Sequence, residues 1–164
     1  MISWPARSDC TASTTSTKPL AAPEARRLRD LSGKRVIVLG VETTLGGECA
    51  EALAAAAATL AFIAATTDSE AAFGVQRLAR RLGAAKSQAI DGSNQAALRV
   101  MVRQVGKALG GLDAFVDATG VAETRGIAEP IAHKEMGRTG GGVYLVADDV
   151  GAVIRAVADE QTQP

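Results

Sequence analysis

The segment Gly40-Val41-Glu42-Thr43-Thr44-Leu45-Gly46-Gly47 is where residue types and spacing could do chemistry. It follows a short apolar run and precedes a stretch of high helix propensity. A glycine turn from a strand into a helix directs backbone N–H groups outward, and the helix dipole adds partial positive charge there. That makes a seat for an anion, a phosphate above all. Two residues work against it. Thr44 puts a β-branched side chain where backbone must come close to the anion. Glu42 brings a carboxylate into the same turn, which near a phosphate costs about 1 kcal/mol or more unless it points to water.

Groups able to move protons or make covalent bonds are scarce. The chain has one tyrosine, Tyr144, inside an apolar run that reads as a core or edge strand. It has one histidine, His133, in a weakly patterned segment that reads as surface. No nucleophile elbow accompanies them. Cys10 falls in a tail and Cys49 on an expected helix, so neither a disulfide framework nor a metal site is expected. No catalytic residue and no metal ligand can be named.

The elements that must position the glycine turn alternate regularly. Apolar strands are expected at 34–40, 59–64, 86–90, 112–117 and 143–147. Helices are expected at about 45–58, 70–82, 94–109, 127–136 and 150–158. Asp68 or Ser69 caps the second helix, Gly83 ends it, Gly110-Gly111 ends the third, and Asp148 or Asp149 caps the last. The small residues from Ala54 to Ala58 suit close packing of the first helix on a sheet. Such alternation predicts a three-layer α/β sandwich with right-handed crossovers. Its five parallel strands take the order 3-2-1-4-5, and ligands bind at the switch point.

Composition fits that fold and excludes other classes. The 164 residues are 47% hydrophobic, enough for one core, but only 3% aromatic, so Ala, Val and Leu must fill it. Eighteen Lys and Arg balance eighteen Asp and Glu, which argues against a nucleic-acid partner. The basic stretch Arg77-Leu78-Ala79-Arg80-Arg81 reads as a solvated helix end. The longest uncharged apolar stretch, Ala52 to Thr67, is too short for a membrane span. Residues 1–30, rich in Ser, Thr, Ala and Pro at the start, read as a disordered or extended tail before a domain at 31–160. A cytoplasmic location is expected, or an organelle matrix if the tail with Arg7 and Lys18 is a transit peptide.

From about Leu31 to Gly120 the chain resembles the short-chain dehydrogenases/reductases. Leu31-Ser32-Gly33-Lys34-Arg35-Val36-Ile37-Val38 is similar to that family's opening strand. Gly40-xxx-Thr44-x-Gly46 is similar to its glycine motif, with Thr44 in place of the middle glycine. Asp91 matches the acid beside the adenine ring, and Gly110-Gly111-Leu112-Asp113-Ala114-Phe115-Val116 the approach to the fourth strand. Asp117-Ala118-Thr119-Gly120 stands where the family has Asn-Asn-Ala-Gly.

The resemblance implies a Rossmann-like fold and a place for NAD or NADP, held by Gly40, Thr44, Leu45, Gly46, Asp91, Gly92, Ala118 and Gly120. It also exposes departures. The family's Tyr-x-x-x-Lys pair is missing, since Asp148 stands four residues after Tyr144, and Ala147 and Asp148 stand where its serine is expected. Ala64-Ala65 replaces the acid that would hold the ribose hydroxyls at the end of the second strand, and no arginine stands there for NADP. Only Thr66 and Thr67 offer weak hydrogen bonds. The reading is a degenerate, non-catalytic structural or regulatory subunit. The alternative is an NAD(P)-dependent oxidoreductase or a dinucleotide sensor completed by a partner chain. With the family's later strands absent, the fifth strand is an open edge, so a homo-oligomer or a partner protein is expected to cover it.

Overall fold

The run Arg35–Leu39 is apolar on both faces, and it becomes the central strand β1 of the computed structural model, which describes residues 30–159. The expected tail, all but its last residue Asp30, and Cys10 with it, lie outside the described residues. After β1 come α1 (Thr44–Ala55), β2 (Thr59–Ala65), α2 (Ser69–Leu82), β3 (Lys86–Ile90) and α3 (Gln95–Leu109). The chain continues through β4 (Ala114–Asp117), α4 (Ala122–Arg138), β5 (Val143–Val146) and α5 (Val150–Asp159). All neighbouring strands are parallel, as the alternation predicts, and they take the expected order β3-β2-β1-β4-β5.

Side-chain alternation along the strands builds two cores. Val36, Val38, Leu60, Phe62 and Val116 face α1, α2 and α5. Ile37, Leu39, Ala61, Ile63 and Phe115 face α3 and α4. A period of two on a sheet covered on both faces explains why the strands read as continuous apolar runs. Small residues let α1 approach, with Cys49 and Ala50 fully buried and Ala54, Ala56 and Ala58 packed against the same core.

The helix boundaries follow local chemistry. Asp68 accepts from the Glu70 N–H at the start of α2, and Asn94 from the Ala97 N–H at the start of α3. Gly83 and Gly110 close those helices in the left-handed conformation. α1 ends three residues earlier than expected, because Ala57 takes a positive φ of 65° and turns the chain into β2. α4 is longer than the expected 127–136. Pro130 sits inside it and withholds the N–H that the Gly126 carbonyl would accept. Both residues are exposed, so water can donate to that carbonyl and the helix continues.

Beneath the sheet, away from the glycine turn, Arg35 clamps β1 to β4. Its backbone N–H and Nε donate to Asp113 Oδ2 at 2.8 Å each, and Nη2 donates to Oδ1 at 2.9 Å. The guanidinium also donates to the Gly110 carbonyl. This hydrogen-bonded pairing holds the Asp113 carboxyl below the usual carboxylate range and raises Arg35.

Candidate functional site

The C-terminal ends of β1, β2 and β4 converge on the glycine turn. Gly40 has φ of +84°, and a Cβ there would lie 2.7 Å from the Thr119 nitrogen. A Cβ on Gly46 would lie 2.1 Å from the Gly40 carbonyl oxygen. Neither position admits a side chain, so both glycines are required for the turn to close. Thr43 caps α1: its Oγ1 accepts from the Gly46 N–H at 2.9 Å. The same hydroxyl has the carbonyl oxygens of Gly40 and Ala118 at 2.8 and 3.0 Å as acceptors, which ties the turn to the end of β4. Among the described residues, no acceptor takes the N–H groups of Thr44 and Leu45 in the first turn of α1. These are the orphan donors that an anion could take. Thr44 is exposed and Leu45 half-buried.

Glu42 changes the picture drawn from the sequence, where it faced either a phosphate or water. Its Oε2 accepts from the Ala65 N–H at 3.1 Å, at the C-terminal end of β2. A carboxylate therefore stands where the strand itself supplies only Ala64-Ala65. Sequence reasoning missed this because the acid reaches across from another turn, and no local signal marks that reach. Gly92 lies beside the same strand end, with a notional Cβ 3.2 Å from Ala65 Cβ and 3.3 Å from Thr124 Oγ1. Asp91 is exposed just before it. Its Oδ1 accepts from the Ser93 N–H and Oγ at 2.9 and 2.6 Å, which lowers its pKa and keeps it ionised.

On the β4 side, Gly120 has φ of +68° and opens onto free space, while Ala118 is buried. Asp117 is buried and fully engaged. Oδ1 accepts from the Thr119 N–H and hydroxyl at 3.0 and 2.7 Å, and Oδ2 accepts from the Tyr144 hydroxyl at 2.9 Å. Tyr144 sits half-buried on the edge strand β5, its ring stacked on Phe115 at 5.6 Å. Burial, then the Asp117 charge, pushes the Tyr144 phenol far above its ordinary value. Its hydroxyl is engaged as the donor to Asp117. His133 is exposed, 5.9 Å from the Tyr144 ring, with Nε2 3.8 Å from Glu129 Oε1.

The structure thus brings Gly40, Gly46 and Ala118 together, sets Thr44 and Leu45 at the mouth of the turn, and places Gly92 near the end of β2. Asp91 and Gly120 lie on the exposed rim. Cys49 is buried in α1, its thiol pushed up to about 11 by burial, and takes no part. Among the described residues no cluster of His, Cys, Asp and Glu is arranged to hold a metal, and no helix is long and apolar enough to cross a membrane.

Comparison with known proteins agrees with this geometry. The model of the family described as enoyl-(acyl carrier protein) reductase matches residues 40–151. Among solved structures, the chain is similar to a short-chain type dehydrogenase/reductase from Mycobacterium marinum, with 24% identity and a TM-score of 0.63, over 74% of this chain and 58% of that one. It is similar to an enoyl-(acyl-carrier-protein) reductase from Anaplasma phagocytophilum, solved in complex with NAD, at 19% identity and a TM-score of 0.60, over 81% and 64% of the two chains. It also resembles an NADPH-dependent 3-quinuclidinone reductase from Rhodotorula rubra, at 16% identity and a TM-score of 0.61, over 92% and 67%. No curated protein sequence matches. The chain spans a little over half the length of the first of these structures.

Proposed function

The chain belongs to the short-chain dehydrogenase/reductase family, and from that premise we propose that it is an NAD-binding, non-catalytic subunit of structural or regulatory role. The observation that carries this reading is the Glu42 carboxylate at the end of β2. A carboxylate there suits the two ribose hydroxyls of NAD and repels the extra phosphate of NADP. The turn fits the rest of the group. The free N–H groups of Thr44 and Leu45 would take the pyrophosphate, Gly92 and Asp91 would flank the adenine, and Ala118 and Gly120 would line the far half. When bound, such a cofactor supplies hydride transfer. This chain's own residues would hold it and fix its orientation, and in this reading Tyr144, whose hydroxyl is engaged by Asp117, does not serve as the proton donor.

A thermal-shift titration with NAD, NADH, NADP and NADPH tests the reading. At a ligand concentration of about 100 Kd, stabilisation is about 2.7 kcal/mol, a shift of several degrees for a domain this size. The expected result is a rise with NAD or NADH and little with the phosphorylated pair. In Glu42→Arg the preference should reverse. No shift with any of the four sinks the proposal and leaves a purely structural role.

Family membership favours a second reading, an NAD(P)-dependent oxidoreductase whose missing proton donor comes from a partner chain. The partner would cover β5, whose outer edge pairs with nothing among the described residues. NADH oxidation appearing only with the associated form would support it.

A further inference from the structure

We propose that the groove between α3 and α4 is a docking site for an acidic amphipathic helix of another protein. The groove is a hollow of about 260 Å³ floored by Val102, Pro130 and Ile131. It runs on into a second hollow bounded by the same two helices at their C-terminal ends. Five cations flank it: Arg99, Arg103 and Lys107 on α3, Lys134 and Arg138 on α4. All five are exposed.

The charge is concentrated rather than balanced. α3 carries no acidic residue at all. The acid lining the groove, Glu135, is half-buried, its stem against Gly106, and it pairs with Arg138 at 3.6 Å. Arg99, Arg103, Lys107 and Lys134 have no ion-pair partner among the described residues. In a chain with equal numbers of acids and bases, that is segregation onto one face.

Spacing and floor select the occupant. Arg99, Arg103 and Lys107 recur every four residues, and Lys134 and Arg138 do the same on the facing helix. Each row therefore repeats about every 6 Å along its axis. An incoming helix with aliphatic residues on one stripe and Asp or Glu on both flanks matches the floor and both rows. A second copy of this chain does not, because a twofold contact here would oppose like charges. Nucleic acid fits less well, since no aromatic side chain offers a stacking platform and an aliphatic floor has nothing to read.

Fluorescence anisotropy on the full chain tests the assignment. The probe is a labelled helical peptide of about five turns, with leucine on one stripe and glutamate on both flanks. A lysine-flanked peptide and a single-stranded oligonucleotide serve as the other arms. The expected result is binding of the acidic peptide, weakened at least about tenfold by Arg99→Glu with Arg103→Glu, a loss of about 1.4 kcal/mol. The same double variant should acquire binding of the lysine-flanked peptide. Neither substitution removes a contact the fold uses, so an unchanged melting temperature accompanies the change, and Lys134→Glu, at a cation with no ion-pair partner among the described residues, repeats the test from α4. The proposal is overturned if the acidic peptide does not bind the native chain at low salt, or if the variants bind it equally. Tight, variant-sensitive binding of the oligonucleotide alone also overturns it and makes the groove a nucleic-acid surface.

Discussion

Tyr144 and Asp117 show how one contact decides a residue's role. The phenol donates a hydrogen bond to a carboxylate that is 2% exposed, and burial with that charge raises its pKa. A raised folded-state pKa means that the stabilisation is complete below the ordinary tyrosine value of about 10 and is lost as pH rises through the higher folded value. Tyr144 is the only tyrosine in the chain, so its titration can be read directly. The folded protein at about pH 11 is expected to show no phenolate absorbance, which should appear on adding denaturant. A phenolate band in the folded chain at that pH would contradict the arrangement. Tyr144→Phe should cost about 1–3 kcal/mol in chemical denaturation, because it leaves a buried oxygen of Asp117 without a donor. The sequence placed Tyr144 correctly as a core or edge residue but did not reveal its partner. Glu42 was illegible for a related reason: which strand end a side chain reaches is set by packing across elements, not by its neighbours in the chain.

At the scale of elements, the join between β1 and β4 depends on Arg35 and Asp113. Their side chains are 27% and 22% exposed, and the fork makes hydrogen bonds to both carboxylate oxygens. Such charge-assisted contacts are the stronger kind. Asp113→Asn is expected to destabilise the fold by about 1–3 kcal/mol at neutral pH. Because the folded-state pKa of Asp113 is lowered, this contribution is present above about pH 4 and disappears as pH falls below that. Native chain and variant should therefore converge in stability in acid, which urea melts across pH would show. The βα alternation, the cap at Asp68 and the stops at Gly83 and Gly110 were legible in the sequence, since each follows from periodicity or local turn chemistry, whereas Asn94 read as the first helical residue and is instead the cap. The extent of α4 was not. Gly126, just before the expected start, is a breaker by propensity, and only its exposure on the finished helix makes it tolerable.

For the whole molecule, the open question is what covers β5. The Val143 and Ala147 N–H groups bond to the Asp113 and Asp117 carbonyls, so alternation turns those of Tyr144 and Val146 outward. If β5 is a seam between copies, sedimentation should show a concentration-dependent dimer, and Val146→Pro should shift it to monomer by removing an outward donor without breaking the inner ladder. A native chain that stays monomeric at every concentration would rule this out. The strand order also has a consequence in time. β1 meets β2 through one local crossover, but it meets β4 only across the whole intervening β2–β3 half, with Arg35 and Asp113 78 positions apart. Pairings so distant in sequence form late. The clamp beneath the sheet should then act on lifetime rather than on birth: Asp113→Asn should steepen the loss of folded molecules while leaving the rate at which they form nearly unchanged.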